Sequence, residues 1–173
     1  MPSYEQLDGG IWVATGFFTA GVSRSIIDKA EQAGFMNARL SDRGRRNSEV
    51  FFRHEDARFS MLKGLRQLFE SVSPDVDVEV PNVFECYRYS AGAATESHVD
   101  APSPINGVMS TLTLVVYLNH DFEGGKTIFP DRSLEVQPKA GSALIFEHGL
   151  KHAGATVDAG TKYILRTAVA VRL

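Results

Sequence analysis

Residues 111–119 read TLTLVVYLN, and the alternation of side chains within this stretch decides the fold. Successive residues of a β-strand point to opposite faces. One face would be wholly apolar, comprising Leu112, Leu114, Val116 and Leu118. The other would carry Thr111, Thr113, Val115 and Tyr117. We therefore expect a strand whose apolar face packs against helices and whose hydroxyl-bearing face lines a cavity for a polar ligand.

The rest of the second half is a series of short β-type runs separated by turn signals. Strands are predicted at 83–89, 126–129, 134–136, 142–146 and 163–172. The first half predicts a strand at 11–18, a helix from the Thr19 cap to Ala33 before Gly34, and a helix over 55–72. The pattern predicts an α+β, mainly β fold, with a barrel or jelly roll (81–173) supported by N-terminal helices and strands (1–80).

Composition limits the partners and the number of domains. The chain has 173 residues, a formal charge of -3 and one cysteine, Cys86. This size predicts a single domain over 1–173, as a monomer or homodimer. The charge predicts no nucleic-acid or membrane partner, and the lone cysteine together with the lack of a signal peptide predicts a cytoplasmic location.

Two histidines and one aspartate are candidates for a metal site. His98 and Asp100 stand two positions apart, so at the end of a strand both can point to one ion. A motif this short arises by chance, and two solvated turn residues are an equal alternative. His152 follows the predicted strand SALIF (142–146) and supplies a third ligand.

Lys162 stands ten residues after His152 and suggests what else the cavity binds. We expect a turn at 158–160 to fold 163–172 back antiparallel to 142–146, which would place Lys162 deep in the barrel and His152 at its mouth. A linear diacid would bridge the metal and this ammonium group. His148 is the alternative third ligand, but Asp158 stands ten residues beyond it, so we expect a wall residue.

Three other polar features have ordinary interpretations. His54 and His120 are predicted to be surface or structural histidines. The basic segment SDRGRRNS (41–48) is predicted to be a solvated connection, with a substrate-facing loop as the alternative.

Together these motifs resemble one family, the iron(II)- and 2-oxoglutarate-dependent oxygenases, in their prolyl 4-hydroxylase-like branch. The resemblance covers about 83–173, and RRNSEVFF (45–52) resembles the segment that precedes the barrel in bacterial members. Its elements stand in order as YRY (87–89), HVD (98–100), TLTLVVYLN (111–119), FEGGKTIFP (122–130) and HAGATVDAGTKYILRT (152–167). The fold it implies is a double-stranded β-helix of the jelly-roll or cupin type.

The resemblance also implies the cofactors and the residues that hold them. His98, Asp100 and His152 would be both the catalytic residues and the ligands of Fe(II), leaving positions open for 2-oxoglutarate and O2. Lys162 would pair with the C5 carboxylate of 2-oxoglutarate, with Arg166 as the runner-up or else a barrel-wall ion pair. Tyr117 and Tyr89 match cosubstrate-binding tyrosines. Ascorbate would assist turnover.

Three departures from the family pattern bear on the substrate. Ser110 stands where peptidyl-prolyl hydroxylases carry an arginine, Thr95 where a tyrosine is common, and LRTAVAV (165–171) lacks an aspartate found in bacterial relatives. The loops 90–97 and 101–110 are candidates for substrate selection.

We expect a dioxygenase that hydroxylates an unactivated C–H bond of a small molecule, an amino acid or specialised metabolite, and converts 2-oxoglutarate to succinate and CO2. The alternatives are a peptidyl-prolyl 4-hydroxylase, a non-catalytic sensor of metal and diacid, and a zinc hydrolase, since zinc accepts the same three ligands.

Overall fold

The computed structural model describes residues 1–37, 47–70 and 73–172. Within these ranges the helices are α1 (Ala20–Ala33) and α2 (Glu55–Glu70), and one 3-10 turn covers Pro130–Arg132. The strands are β1 (Ser3–Asp8), β2 (Ile11–Thr15), β3 (Met36–Asn37), β4 (Ser48–Phe52), β5 (Asp77–Glu79), β6 (Phe84–Ser90), β7 (Thr95–His98), β8 (Pro104–Ile105), β9 (Val108–Met109), β10 (Leu112–Tyr117), β11 (Phe122–Gly124), β12 (Thr127–Phe129), β13 (Leu134–Val136), β14 (Ala143–Glu147), β15 (His152–Gly154) and β16 (Val157–Arg172).

Two antiparallel sheets form the barrel. The major sheet runs β1-β2-β14-β10-β16-β6-β4-β3, and β5 and β11 also pair with β16. The minor sheet runs β13-β12-β15-β7, while β8 and β9 pair only with each other. The fold is therefore the mainly β double-stranded β-helix that was expected, with the N-terminal strands extending the major sheet.

The helices cover the outer face of the major sheet, as the β10 pattern predicts. Leu114 and Val116 are fully buried in one core cluster with Ile26 of α1 and Met61 and Leu65 of α2. The opposite face of β10, with Val115 and Tyr117, belongs to a second cluster inside the barrel. The alternation in TLTLVVYLN is thus confirmed on both faces.

Local signals explain where the helices begin and end. The Thr19 hydroxyl accepts a hydrogen bond from the Val22 N–H, and Gly34 ends α1 with a positive φ of 82°, which favours glycine. Before α2, His54 Nδ1 accepts from the Ala57 N–H at 3.3 Å, so His54 is a structural histidine as predicted. Phe59 of α2 is 70% exposed, because the buried face of this helix follows Ala57, Met61 and Leu65.

The predicted hairpin between 142–146 and 163–172 is wrong. β14 and β16 lie on opposite sides of β10 and pair with it rather than with each other. The expected turn at 158–160 lies within β16, where the pairing with β11 shifts register. Gly160 has φ 79°, and a Cβ on it would lie 2.7 Å from the Asp121 carbonyl oxygen, so this glycine permits close strand approach.

The basic segment predicted at 41–48 lies, as far as residue 46, outside the described residues. In the described part of the chain, no helix has both the length and the apolar character needed to cross a membrane.

Candidate metal and cosubstrate site

The minor sheet brings the three predicted metal ligands together. His98 on β7 is the direct partner of His152 on β15, and Asp100 follows β7 with its N–H bonded to the His148 carbonyl at 3.0 Å. Asp100 Oδ1 lies 3.8 Å from His98 Nε2, and its Oδ2 lies 3.7 Å from His152 Nε2. One ligand atom from each residue lies within 4.8 Å of the others, which is close enough to share one ion.

Both histidines are oriented by backbone carbonyls. His98 Nδ1 lies 2.8 Å from the Glu96 oxygen, and His152 Nδ1 lies 3.0 Å from the Leu150 oxygen. When each Nδ1–H donates to its carbonyl, the Nε2 lone pair faces the aspartate and is available for a metal. Burial lowers the pKa of His152 to about 4, which keeps this imidazole in the neutral form that binds metals.

Asp100 is held on both of its carboxylate oxygens. Arg166 Nη2 lies 2.7 Å from Oδ1, and the Thr113 hydroxyl donates to Oδ2 at 2.6 Å. Burial alone would raise the pKa of Asp100, but the Arg166 charge, the Thr113 hydrogen bond and the two histidines hold it well below its usual range. The carboxylate is therefore ionised at neutral pH, as a metal ligand requires.

Lys162 lies in the same cavity as the histidines. Its side chain is 4% exposed, and Nζ donates to the Gly125 carbonyl at 2.6 Å. The ammonium lies 5.4 Å from the Tyr89 ring centre and 5.5 Å from that of Tyr117. Among the described residues no carboxylate lies within ion-pair distance of Nζ, and burial lowers the Lys162 pKa to about 8. A buried cation of this kind is suited to an anionic ligand.

The two predicted tyrosines line the inner part of the cavity beside Lys162. The Tyr117 hydroxyl lies 2.7 Å from Thr127 Oγ1, and the Tyr89 hydroxyl lies 3.1 Å from Thr95 Oγ1. The empty space of the cavity is about 480 Å³, including its opening to solvent. It is lined by Tyr87, Tyr89, Thr95, His98, Val115, Thr127, Phe146, His152, Ala153, Gly154, Lys162, Ile164 and Arg166.

The structure separates the two basic residues of β16. Arg166, the runner-up partner for the cosubstrate, pairs with Asp100 at the metal end and donates from Nη1 to Glu85 at 2.9 Å. It therefore has the position of the barrel-wall ion pair that was the other interpretation. Lys162 lies four residues earlier on the same face, next to Tyr89 and Tyr117.

Sequence reasoning did not assign roles to Thr113, Thr127 or Gly125. The hydroxyls of Thr113 and Thr127 bond Asp100 and Tyr117, and only the cavity-facing parity of Thr113 gave a signal. Gly125 has φ 65°, and a Cβ there would lie 3.1 Å from Cδ of Lys162. The double glycine in FEGGKTIF was the available sign that the backbone comes close to another group.

A family model described as the 2OG-Fe(II) oxygenase superfamily matches residues 84–169, which contain β6 to β16 as far as Val169 and all three ligands. The chain belongs to this superfamily. Its fold and its His-Asp-His triad agree with Fe(II) and 2-oxoglutarate as the cofactors.

Among curated proteins, one named "Putative prolyl 4-hydroxylase" from Acanthamoeba polyphaga mimivirus is 36% identical over 122 residues. The aligned part covers 58% of this chain and 50% of that relative, so the chain matches about half the length of the viral protein.

Solved structures share the oxygenase fold over nearly the whole chain. A viral collagen prolyl hydroxylase from Paramecium Bursaria Chlorella virus-1, solved with 2OG, superposes with a TM-score of 0.72 at 22% identity, covering 92% of this chain and 94% of that one. A Pseudomonas putida prolyl-4-hydroxylase gives 0.67 at 18% identity, covering 93% and 92%. A Trichoplax adhaerens prolyl hydroxylase bound to a hypoxia inducible factor peptide gives 0.65 at 16%, covering 93% and 83%.

The residues present fit both cofactors of an oxygenase. Two imidazoles and one carboxylate are the donor set of non-haem Fe(II), and the barrel leaves space on the cavity side of them. At the other end, Lys162 supplies a buried positive charge for a carboxylate, with the Tyr117 and Tyr89 rings beside it.

Proposed function

We propose that this chain is an Fe(II)- and 2-oxoglutarate-dependent hydroxylase that acts on proline within a peptide or protein segment. One observation carries the oxygenase part of the proposal. His98 and His152 line a single cavity with the buried Lys162, and Asp100 completes the ligand cluster beside them, so a metal and a diacid can be bound side by side. A zinc hydrolase would use the triad but has no role for a buried ammonium at the opposite end.

In this proposal His98, Asp100 and His152 hold Fe(II) on one side and leave the cavity side open. Lys162 pairs with the C5 carboxylate of 2-oxoglutarate and, in doing so, is compensated for the loss of solvation that lowers its pKa. Tyr117 and Tyr89 provide the aromatic walls and hydroxyls around that carboxylate. The cosubstrate is thereby oriented with its keto acid toward the triad.

When bound, Fe(II), 2-oxoglutarate and O2 supply an oxidative decarboxylation to succinate and CO2 coupled to insertion of oxygen into a C–H bond. The chain contributes placement and exclusion of water. Phe146 packs against His152 with ring centres 4.5 Å apart, and Phe129 packs against both rings, which shields this side of the site.

Two observations support a peptide substrate. The matched relative and the superposed structures named above are prolyl hydroxylases. The major sheet also continues beyond the cavity, because Phe51 on β4 pairs with Glu85, and Glu85 pairs with Arg166, so all three share one face. On that face Phe51 is 50% exposed, and it provides an apolar contact for an extended chain leaving the metal centre.

A small-molecule substrate is the second candidate, and Ser110 favours it. This residue stands where peptidyl-prolyl hydroxylases carry an arginine, and here it is fully buried and bonded to His148 rather than facing a substrate. Without that cation, one means of holding a peptide is missing. A cytoplasmic location stays a prediction from the sequence, and the use of ascorbate stays a prediction from the family resemblance.

The substrate is tested by measuring succinate release with iron, 2-oxoglutarate and two panels of candidates. One panel contains proline-rich peptides of six or more residues, and the other contains free amino acids including proline. We expect release and a mass gain of one oxygen with peptides, and neither with the His152→Ala variant. Turnover confined to free amino acids would overturn the peptide assignment, and turnover supported by zinc would overturn the oxygenase.

A further inference from the structure

A buried chain of hydrogen bonds runs from a loop to the metal-facing carboxylate. The Ser103 N–H donates to Ser110 Oγ at 2.9 Å, and Ser110 Oγ lies 2.9 Å from His148 Nε2. On the other side of the ring, His148 Nδ1 lies 2.8 Å from Thr113 Oγ1, which lies 2.6 Å from Asp100 Oδ2. The series of bonds thus connects the Ser103 backbone with one carboxylate oxygen of Asp100.

The carboxylate of Asp100 determines the direction of the two hydrogen bonds nearest to it. Asp100 can only accept, so the single hydroxyl proton of Thr113 is donated to it. Thr113 Oγ1 must then accept from His148 Nδ1–H, and His148 Nε2 shares a second hydrogen bond with the Ser110 hydroxyl. His148 therefore carries a proton on Nδ1.

From Ser110 to Asp100 this chain of hydrogen bonds is closed to solvent, whereas Ser103 at its outer end is exposed. Ser110 and Thr113 are 0% exposed, and His148 and Asp100 are each 4% exposed. Moreover, the His148 carbonyl accepts the Asp100 N–H at 3.0 Å. His148 therefore holds Asp100 directly through its backbone and indirectly, by way of Thr113, through its side chain. Water therefore has little access to the side chains of these four buried residues, and their hydrogen bonds can fix the geometry of Asp100.

We infer that His148 and Thr113 are positioning residues that fix the rotation of the Asp100 carboxylate relative to His98 and His152. The inference rests on the proposed function, in which Asp100 binds Fe(II). It also assigns separate tasks to the two histidines of HGLKH (148–152). His152 directs Nε2 toward the metal site, whereas both ring nitrogens of His148 are engaged by hydroxyls and cannot coordinate an ion.

The test removes the Thr113 hydroxyl and measures metal binding rather than turnover. Thr113→Val keeps the shape of the side chain but leaves Oδ2 of Asp100 and Nδ1 of His148 without their shared partner. We expect Co(II) affinity to fall by about 10- to 100-fold, as for loss of an outer partner of a metal ligand, with a changed Co(II) visible spectrum. Thr113→Ser should restore the wild-type spectrum and bring the affinity within about threefold of wild type.

A matched control is Thr167→Val, which removes a buried hydroxyl from β16 whose bond is a long one of 3.4 Å to the Ala168 carbonyl. This variant should bind Co(II) as wild type does. His148→Leu breaks the same chain at its centre and should repeat the Thr113→Val result, so the inference stays testable if one variant does not fold.

The outcomes separate this inference from the function on which it rests. If the wild-type protein binds neither Co(II) nor Fe(II), the proposed function is wrong. If wild type binds and Thr113→Val and His148→Leu match the Thr167→Val control in affinity and spectrum, the positioning role is overturned. If thermal stability falls but the metal affinity and spectrum of the folded protein do not change, the hydrogen bonds through Thr113 and His148 have only a structural role, and the inference is also overturned.

Discussion

The two ends of the cavity differ in how completely their charges are neutralised. At the metal end, the Asp100 carboxylate is bonded on one oxygen by Arg166 and on the other by Thr113. At the inner end, the Lys162 ammonium donates to the Gly125 carbonyl and faces two aromatic rings, with no carboxylate within ion-pair distance among the described residues.

This difference corresponds to two tasks of the site, which are to bind a metal ion at one end and to bind a diacid at the other. A ligand set that must bind an ion in one geometry benefits from partners that fix it before the ion arrives. A group that must recognise a diacid at each turnover benefits from a charge that remains uncompensated until the diacid binds. The metal end is thus prepared in advance, and the Lys162 end is left for the cosubstrate.

The largest effect should come from removing the carboxylate of the metal end. Asp100→Ala deletes one of three ligands and leaves the Arg166 charge at that end with Glu85 as its remaining carboxylate partner, so saturable Fe(II) binding should be lost. Anaerobic calorimetry with Fe(II) measures it, with the exposed Asp75→Ala as the control. Retention of wild-type affinity by Asp100→Ala would remove this residue from the metal site.

The next largest effect should come from removing Lys162, and it should be confined to the inner end of the cavity. Lys162→Ala should weaken 2-oxoglutarate binding by about 30-fold or more, since loss of one partner of a buried charge pair costs about 2–5 kcal/mol. Fe(II) affinity should be unchanged, because Lys162 Nζ lies at the inner end of the cavity, where it donates to the Gly125 carbonyl. A loss of tenfold or less in 2-oxoglutarate affinity, measured with iron in place, would count against the proposed pairing.

The pH dependence of 2-oxoglutarate affinity should also distinguish the Lys162 end of the cavity from the metal end. Because burial lowers the Lys162 pKa to about 8, the free protein loses this charge above that pH, and 2-oxoglutarate affinity should fall by about tenfold from pH 7 to pH 9. Lys162→Arg should abolish the dependence, since arginine stays protonated. A fall of equal size in that variant would assign the pH effect to another group.

The same titration of Lys162 should make the ligand-free protein more stable as the pH rises, whereas it makes 2-oxoglutarate binding weaker. Between about pH 8 and the ordinary lysine pKa of 10.5, the unfolded chain binds the proton that the folded chain has lost. The contribution of Lys162 to the free energy of unfolding should therefore rise across this interval, and urea unfolding of wild type beside Lys162→Arg measures it.

The smallest change in 2-oxoglutarate affinity should come from replacing Arg166. Arg166→Gln removes a partner of Asp100, so Fe(II) affinity should fall by about tenfold, while 2-oxoglutarate affinity should change by no more than about threefold. Parallel titrations of this variant and Lys162→Ala compare the two cations directly. If the two variants weakened 2-oxoglutarate equally, the division between the two ends would be lost.

The sequence was informative where a local pattern has a local cause. The alternation in TLTLVVYLN predicted both faces of β10, and the Thr19 and Gly34 signals predicted both ends of α1. The metal ligands followed from short motifs and from the family resemblance. That residues 1–173 form one domain stays a prediction.

The errors concern contacts between distant segments and residues with two interpretations. Gly160 in the sequence predicts a turn, but a glycine also permits the close approach of two strands, and the position of β11 is not visible in the sequence. Likewise, the pairing of Arg166 with Asp100 joins residues far apart in the chain. The hydrogen bonds through Thr113 and His148 could not be predicted for the same reason, because they also join residues far apart in the sequence.

The most direct measurement is an anaerobic titration of metal-free protein with Fe(II) and then with 2-oxoglutarate, followed by visible absorption. It requires no knowledge of the hydroxylated substrate. If the metal end and the Lys162 end act together, a saturable metal-to-ligand charge-transfer band will appear in wild type, will require about 30-fold or more 2-oxoglutarate in Lys162→Ala, and will be lost in His152→Ala. Bound iron with no such band on addition of 2-oxoglutarate would contradict the proposed oxygenase site.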